Sequence, residues 1–229
     1  MDNAYMCEKY IPQTIIDFNN IVVLNVVGRD EKYLIHHEIL PSGMYHRHPK
    51  HDVTLDFGAN YNEQFLPIWL NWRYSGVFKL LKFNFSTPPI MKGTLFEKSR
   101  REHFDNVICN LINFQYYAAV LEDQDFINAI IDNLVQFVKY NDGFKLPMVG
   151  MMYAMLRMPD GVGLRRLVTN MCAWGNPYEV LSVEAGDDII EIAKFAANEC
   201  KLARKEEWKD GIPEDINLCD YHCHGKVEQ

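Results

Sequence analysis

The first sustained apolar run, Ile21-Val22-Val23-Leu24-Asn25-Val26-Val27, is rich in β-branched side chains and is followed by the turn residues Gly28-Arg29-Asp30-Glu31-Lys32. A short, nearly continuous apolar run of this kind predicts a buried strand, and Tyr33-Leu34-Ile35 beyond the turn predicts the returning arm of a β-hairpin over 21–35. His36-His37-Glu38-Ile39-Leu40 can open a helix, but Pro41-Ser42-Gly43 stops it within a turn. Val53–Phe57 alternates apolar with polar positions, the pattern of a half-buried strand. From Asn62 to Tyr74 the positions of Phe65, Leu66, Trp69, Leu70 and Trp72 predict a helix, with Pro67 near its first turn and Gly76 as its stop. The segment 77–100 reads as an insertion-like connection holding a short strand and a Pro-Pro loop.

Beyond residue 100 the apolar period lengthens to that of helices. Phe104, Val107, Ile108, Leu111, Ala118 and Leu121 share one face. Ile127, Ile130, Ile131, Leu134, Val135 and Val138 share the next, after a cap at Asp123 or Asp125. Pro147 opens a Met-rich helix through Leu156, and Leu164, Leu167, Val168 and Met171 mark another. A last long helix is predicted from about Asp187 to Trp208, with Ile189, Ile192, Ala193, Ala196, Cys200 and Ala203 inward and two Asp residues at its N-terminus. Strands come first and helices fill the second half, so the expected class is α+β, a small sheet packed with helices and followed by an all-helical C-terminal half.

Composition narrows the function classes. A chain of 229 residues with 48% hydrophobic positions has length for one large domain or two small ones and a substantial core. No apolar run approaches the roughly 18 residues of a membrane span. The start, MDNAYMCEKY, lacks the basic end and apolar centre of a signal peptide, so an intracellular location, cytoplasmic or nuclear, is expected. A net charge of −8 argues against nucleic acid as a main partner. The basic run Lys98-Ser99-Arg100-Arg101-Glu102 is short and reads as a solvated loop or helix start. The six cysteines are too sparse for a disulfide scaffold. Cys109, Cys172 and Cys200 fall on helical apolar positions, and only Cys219 and Cys223 stand in polar company.

The candidate chemistry sits in Leu218-Cys219-Asp220-Tyr221-His222-Cys223-His224. Thiolate and neutral imidazole are the preferred ligands of zinc. Cys219, His222 and His224 can supply three ligands with a fourth from elsewhere, because Cys223 lies too close to both His residues for all to converge. A polar tail packed against or frayed from the last helix is the competing reading. His46, His48 and His51, next to Arg47 and Lys50, read as a solvated loop, and His36-His37 as structural hydrogen-bonding residues at a strand end. No nucleophile elbow, phosphate loop or dinucleotide fingerprint is present, and no acidic pair stands out as catalytic. Arg165 and Arg166, after Gly161-Val162-Gly163, can hold an anion at a helix N-terminus, though pairing with acidic neighbours is favoured. The Met cluster from Met148 to Met158 reads as core. Trp69, Trp72 and Tyr74 also read as packed, and any of them that is exposed becomes a partner-binding candidate.

Together these segments have a familiar order. Tyr33-Leu34-Ile35-His36 with Leu40 resembles the aromatic–x–Val–His–Lys–x–x–Leu entry of BTB/POZ domains. Val53–Phe57 and Trp69-Leu70-Asn71-Trp72-Arg73-Tyr74-Ser75-Gly76 resemble the strand and the Tyr–x–Gly helix end that follow there. Gln115-Tyr116-Tyr117-Ala118 and Phe126-Ile127-Asn128-Ala129-Ile130-Ile131 resemble that family's paired helices. Leu146-Pro147, Gly163-Leu164-Arg165-Arg166-Leu167-Val168, Ala173-Trp174 and the Cys–x–x–His–x–His tail are similar to the helical extension of filamentous-fungal BTB-domain proteins. The likeness runs over about 20–225. Residues 1–15 read as a loose arm, and the likeness implies a BTB/POZ-like domain at 16–140, a helical extension at 141–210 and a Cys/His tail at 211–229. It implies a non-catalytic interaction module, an adaptor without cofactor, whose partners include a second copy of itself or a cullin-type ubiquitin-ligase scaffold. The chain departs from the family between the hairpin and Val53, where Pro41-Ser42-Gly43 and the His-rich loop replace helices that contribute to the usual dimer interface. His37 also stands where Lys is usual.

Overall fold

The computed structural model describes residues 20–41, 44, 52–58, 61–78, 94–140, 158, 162–174 and 187–222, with the side chains of 94–103, 105 and 187–193 outside the description. The N-terminal arm, the His46–His51 loop, the strand and Pro-Pro loop expected after Phe78, the Met-rich helix, Cys223 and His224 lie outside the described residues. The fold is α+β, and its second half is helical among those residues. The chain divides into two compact units, 1–84 with 114–129 and 85–113 with 130–229. The division falls inside two helices, where the sequence suggests a boundary at 140.

The first unit holds a three-stranded sheet of order β2-β1-β3, with β1 Ile21–Val26, β2 Lys32–His36 and β3 Asp52–Leu55. β1 pairs antiparallel with β2, placing Val22 opposite Ile35, and parallel with β3, placing Leu24 opposite Val53 and Val26 opposite Leu55. These six side chains form the buried face. The registers put His36 opposite Ile21 and Asp52 opposite Val23, so β2 ends and β3 begins at the same end of β1. The intervening chain has only to pass that end, about 10 Å across two strand spacings, which a connection shorter than a helical pair can do. The single 3₁₀ turn His37–Ile39 is the stopped helix expected before Pro41. β1 is not buried on both faces, as its apolar run suggests. Its burial alternates, and Ile21 and Val23 belong to the other face.

Helix α1, Phe65–Ser75, buries Phe65, Leu66, Ile68, Trp69 and Trp72. It ends at Gly76, whose left-handed φ of 66° lets its N–H reach Trp72 O at 2.7 Å. Helix α2 runs Thr94–Val120, so the basic run at 98–102 is helical, and α3 runs Gln124–Tyr140. Between them Asp123 N donates to Ala118 O and Glu122 N to Ala119 O, a Schellman turn with Glu122 at φ 55°. A side chain at that left-handed position is unfavourable. Glu122→Gly is expected to raise stability by up to about 1 kcal/mol in urea unfolding. Phe57, Phe65, Tyr117 and Phe126 fill the centre of this unit, with Phe65 to Tyr117 centroids 5.1 Å apart.

The second unit contains the rest of α2 and α3, with Phe104 stacked on Phe137 at 5.1 Å, together with α4 Gly163–Cys172 and α5 Asp187–Leu202. α5 stops at Leu202, short of the Trp208 the periodicity suggests. The backbone turns out at Lys205, whose carbonyl accepts from the Trp174 indole at 3.0 Å. Arg204 Nε donates to Ala173 O at 2.9 Å with its guanidinium over the Trp174 ring. Trp208 is then buried in a separate 3₁₀ turn, Glu206–Trp208.

Candidate functional site

In the second unit the turn Leu218–Asp220 and Tyr221-His222 after it are docked against the helices. Asn217 caps the turn by accepting from Cys219 N at 3.2 Å. Leu218 and Tyr221 are buried, the Tyr221 ring lies edge-on to Trp208 at 6.3 Å, and its hydroxyl accepts from Asn170 Nδ2 at 2.8 Å. Arg166 donates to Asp220 O and lies 5.9 Å from the Tyr221 ring centre. Gly163, at the start of α4, touches the Tyr221 backbone: a Cβ there would stand 2.6 Å from the carbonyl carbon and nearer still to its oxygen. No rotamer relieves a clash between a Cβ and a backbone carbonyl. Gly163→Ala is therefore expected to cost about 1–3 kcal/mol in chemical denaturation and to raise amide exchange at Asp220–His222. The second glycine of Gly161-Val162-Gly163 thus gives the tail room to pack.

His222 Nε2 lies 2.9 Å from Asp132 Oδ1, both side chains essentially without solvent contact. Asp132 is on α3, ninety positions away in sequence. Burial pushes the Asp132 carboxyl above its ordinary value, and the hydrogen bond and charge of His222 oppose that shift. The other Asp132 oxygen, Oδ2, is buried with no hydrogen-bond partner. Of the three zinc candidates, Cys219 is exposed, His222 is buried against Asp132, and His224 lies outside the described residues. Among the described residues no cluster of three His, Cys, Asp or Glu side chains is placed to hold a metal ion. Burial also raises the thiols of Cys172 and Cys200, the latter to about 11, so both are held as core thiols and not as ready thiolates.

A groove of about 490 Å³ opens beside the docked tail, between α4, the end of α5 and Asp220-Tyr221. Arg165, buried at its base, donates to Met158 O at 2.8 Å and to Glu199 at 3.1 Å. This is the acidic pairing expected from the sequence. Arg166 differs: its partners among the described residues are a backbone carbonyl and a ring face, and neither neutralises its charge. Lys205 at the rim meets Glu207 at 3.9 Å, with both side chains largely in water.

The first unit contains the aromatic candidates. Trp69 and Trp72 are fully buried and present no surface to a partner. Trp69 Nε1 donates to Asp123 Oδ2 at 2.6 Å, a use of the indole that periodicity does not reveal. Tyr74 is 42% exposed and touches the edge strand. Its hydroxyl accepts from His36 N at 3.1 Å and lies 2.9 Å from His36 Nδ1. Because His36 N faces Tyr74 while His37 N donates to Asn20 O at 2.9 Å, alternation turns the N–H and C=O of Leu34 away from β1. Leu34 is 72% exposed and lies opposite Val23, with the 37% exposed Ile21 on the same face.

No family model, no curated protein and no solved structure matches the chain. No helix among the described residues is long and apolar enough to cross a membrane.

Proposed function

We propose that the chain is a non-catalytic protein–protein interaction module of the fungal BTB/POZ kind its sequence resembles, acting as an adaptor. The observation that carries this reading is the open face of the sheet, where Leu34 on edge strand β2 stands exposed beside Val23 and Ile21. An apolar side chain left in water next to outward-facing backbone groups suits a partner that adds a strand or lays an apolar surface there. Tyr74 covers one of those groups, His36 N–H, and marks one end of the accessible edge. The pairing of β3 with the hairpin is the arrangement a BTB/POZ sheet needs. The resemblance offers two protein partners, a second copy of the chain and a cullin-type scaffold.

The test is a surface change that leaves the core alone. Leu34→Glu places a charge on the open face and is expected to keep the unfolding midpoint within the usual range for surface changes, about 0.5 kcal/mol. It should also abolish specific partner retention by the immobilised chain. Partner retention unchanged by Leu34→Glu would remove this face from the account.

A further inference from the structure

The geometry points to a second recognition surface: the groove between α4, the end of α5 and the docked tail takes an acidic peptide segment of a partner protein. This inference rests on the interaction-module reading but uses a different surface from the sheet face. Its first support is charge. The groove carries Arg165, Arg166 and Lys205 against Glu199 and Asp220, a cationic excess on a chain whose net charge is −8. Arg165 and Glu199 offset each other at 3.1 Å, which leaves Arg166 and Lys205 against the one carboxylate of Asp220, itself bonded by Asn217 Nδ2 at 3.0 Å. Among the described residues the cation left for a ligand within the groove is Arg166. It is held in place by Asp220 O and the Tyr221 ring, with no carboxylate partner among the described residues, so its positioning entropy is already spent. Lys205, only loosely tied to Glu207, supplies a second positive charge at the rim. A carboxylate entering here meets a fixed guanidinium suited to its planar shape.

The second support is apolar surface, and it distinguishes a peptide from a free small anion. Leu202 lines the groove and is 78% exposed. Phe195, seven residues earlier on α5, is 55% exposed and falls on nearly the same side of the helix. A ligand small enough to sit wholly within the groove leaves Phe195 in water. A peptide that sets an acidic side chain on Arg166 and Lys205, and an apolar one along Leu202 and Phe195, covers both.

The test uses the full chain immobilised and presented with acetylated, amidated hexapeptide pools of otherwise random sequence. Each pool has one fixed Phe and, three residues away, a fixed Glu, Gln or Lys. Retention of the Glu pool is expected to exceed that of the Gln pool about fivefold, the scale of one or two exposed charge contacts. Lys205→Glu alone touches no tail contact and should narrow that ratio. Arg166→Glu with Lys205→Glu should reverse the preference towards the Lys pool, and Leu202→Ser should lower retention of every pool. Equal retention of the Glu and Gln pools overturns the proposal. So does a preference unaffected by Lys205→Glu, or retention abolished by inorganic phosphate and indifferent to the fixed Phe, which identifies a small-anion site. If the pools fail while Leu34→Glu still loses partners, the interaction module stands without this groove. If Leu34→Glu also changes nothing, the module reading fails as well.

Discussion

Asp123→Ala is expected to destabilise the folded chain by roughly 3–5 kcal/mol, the range for removing one member of a buried charged network. One carboxylate serves three groups in the first unit. Oδ2 accepts from Trp69 Nε1 at 2.6 Å, Oδ1 accepts from Phe126 N at 3.0 Å as the cap of α3, and Arg73 Nη1 lies 3.8 Å away. Arg73, itself nearly buried, also donates to Ile39 O at 2.6 Å. The alanine variant leaves an indole N–H, a helix-terminal N–H and a guanidinium short of an acceptor in a dry interior. Urea unfolding monitored by Trp fluorescence measures the loss.

The pH dependence has a definite sign. Burial raises the Asp123 carboxyl, and its bonds to Arg73, Trp69 and Phe126 only partly oppose that. An acid raised in the folded state contributes stability that is fully present below its unfolded value and is lost as the pH rises through its folded value. Relative to Asp123→Asn, whose amide does not titrate, the native chain should therefore gain stability as the pH falls from neutral towards 3.8. A relative loss over that interval contradicts the assignment.

His222→Ala should produce an effect of the same size, roughly 3–5 kcal/mol, because it strands the Asp132 carboxylate in the core. Replacing both, His222→Leu with Asp132→Leu, should recover most of that loss, since an apolar pair removes the stranded charge. Cys219→Ser, at an exposed position, should stay within about 0.5 kcal/mol. A zinc module built on Cys219, His222 and His224 makes the opposite forecast. In that case protein purified without chelator carries stoichiometric zinc, and Cys219→Ser and His222→Ala lose it together.

The parts of the fold legible in the sequence are those written in local periods and punctuation. The hairpin at 21–35, the stopped turn before Pro41 and Gly76 as a helix end follow from neighbouring residues and are present, and of the two caps offered, Asp123 and Asp125, the structure uses Asp123. Pairings between distant residues left no such trace. Asp132 sits among Ile130, Ile131, Leu134 and Val135, and a carboxylate in that company was the one available sign that it needs a buried partner. That the partner is His222 depends on how the tail folds back over α3. Nothing next to Gly163 in sequence tells why it is glycine, because its neighbour in space, Tyr221, is fifty-eight positions along the chain. Ala203 and Trp208 continue the apolar spacing of α5 past its end at Leu202, while the contacts that turn the chain there, Trp174 Nε1 to Lys205 O and Arg204 Nε to Ala173 O, involve the residues just after α4. β1 gave no sign of which face is open, since Ile21 and Val23 are as apolar as Val22 and Leu24.

The most direct test of the interaction-module reading is quantitative retrieval from native extract. The intact chain and Leu34→Glu are used as parallel baits of matched stability, with mass spectrometry of what each retains. The account predicts a defined set of proteins on the intact bait that Leu34→Glu loses, with no turnover of small substrates by the purified chain. Identical retained sets on the two baits, or robust turnover of a small substrate that a single substitution abolishes, would contradict it.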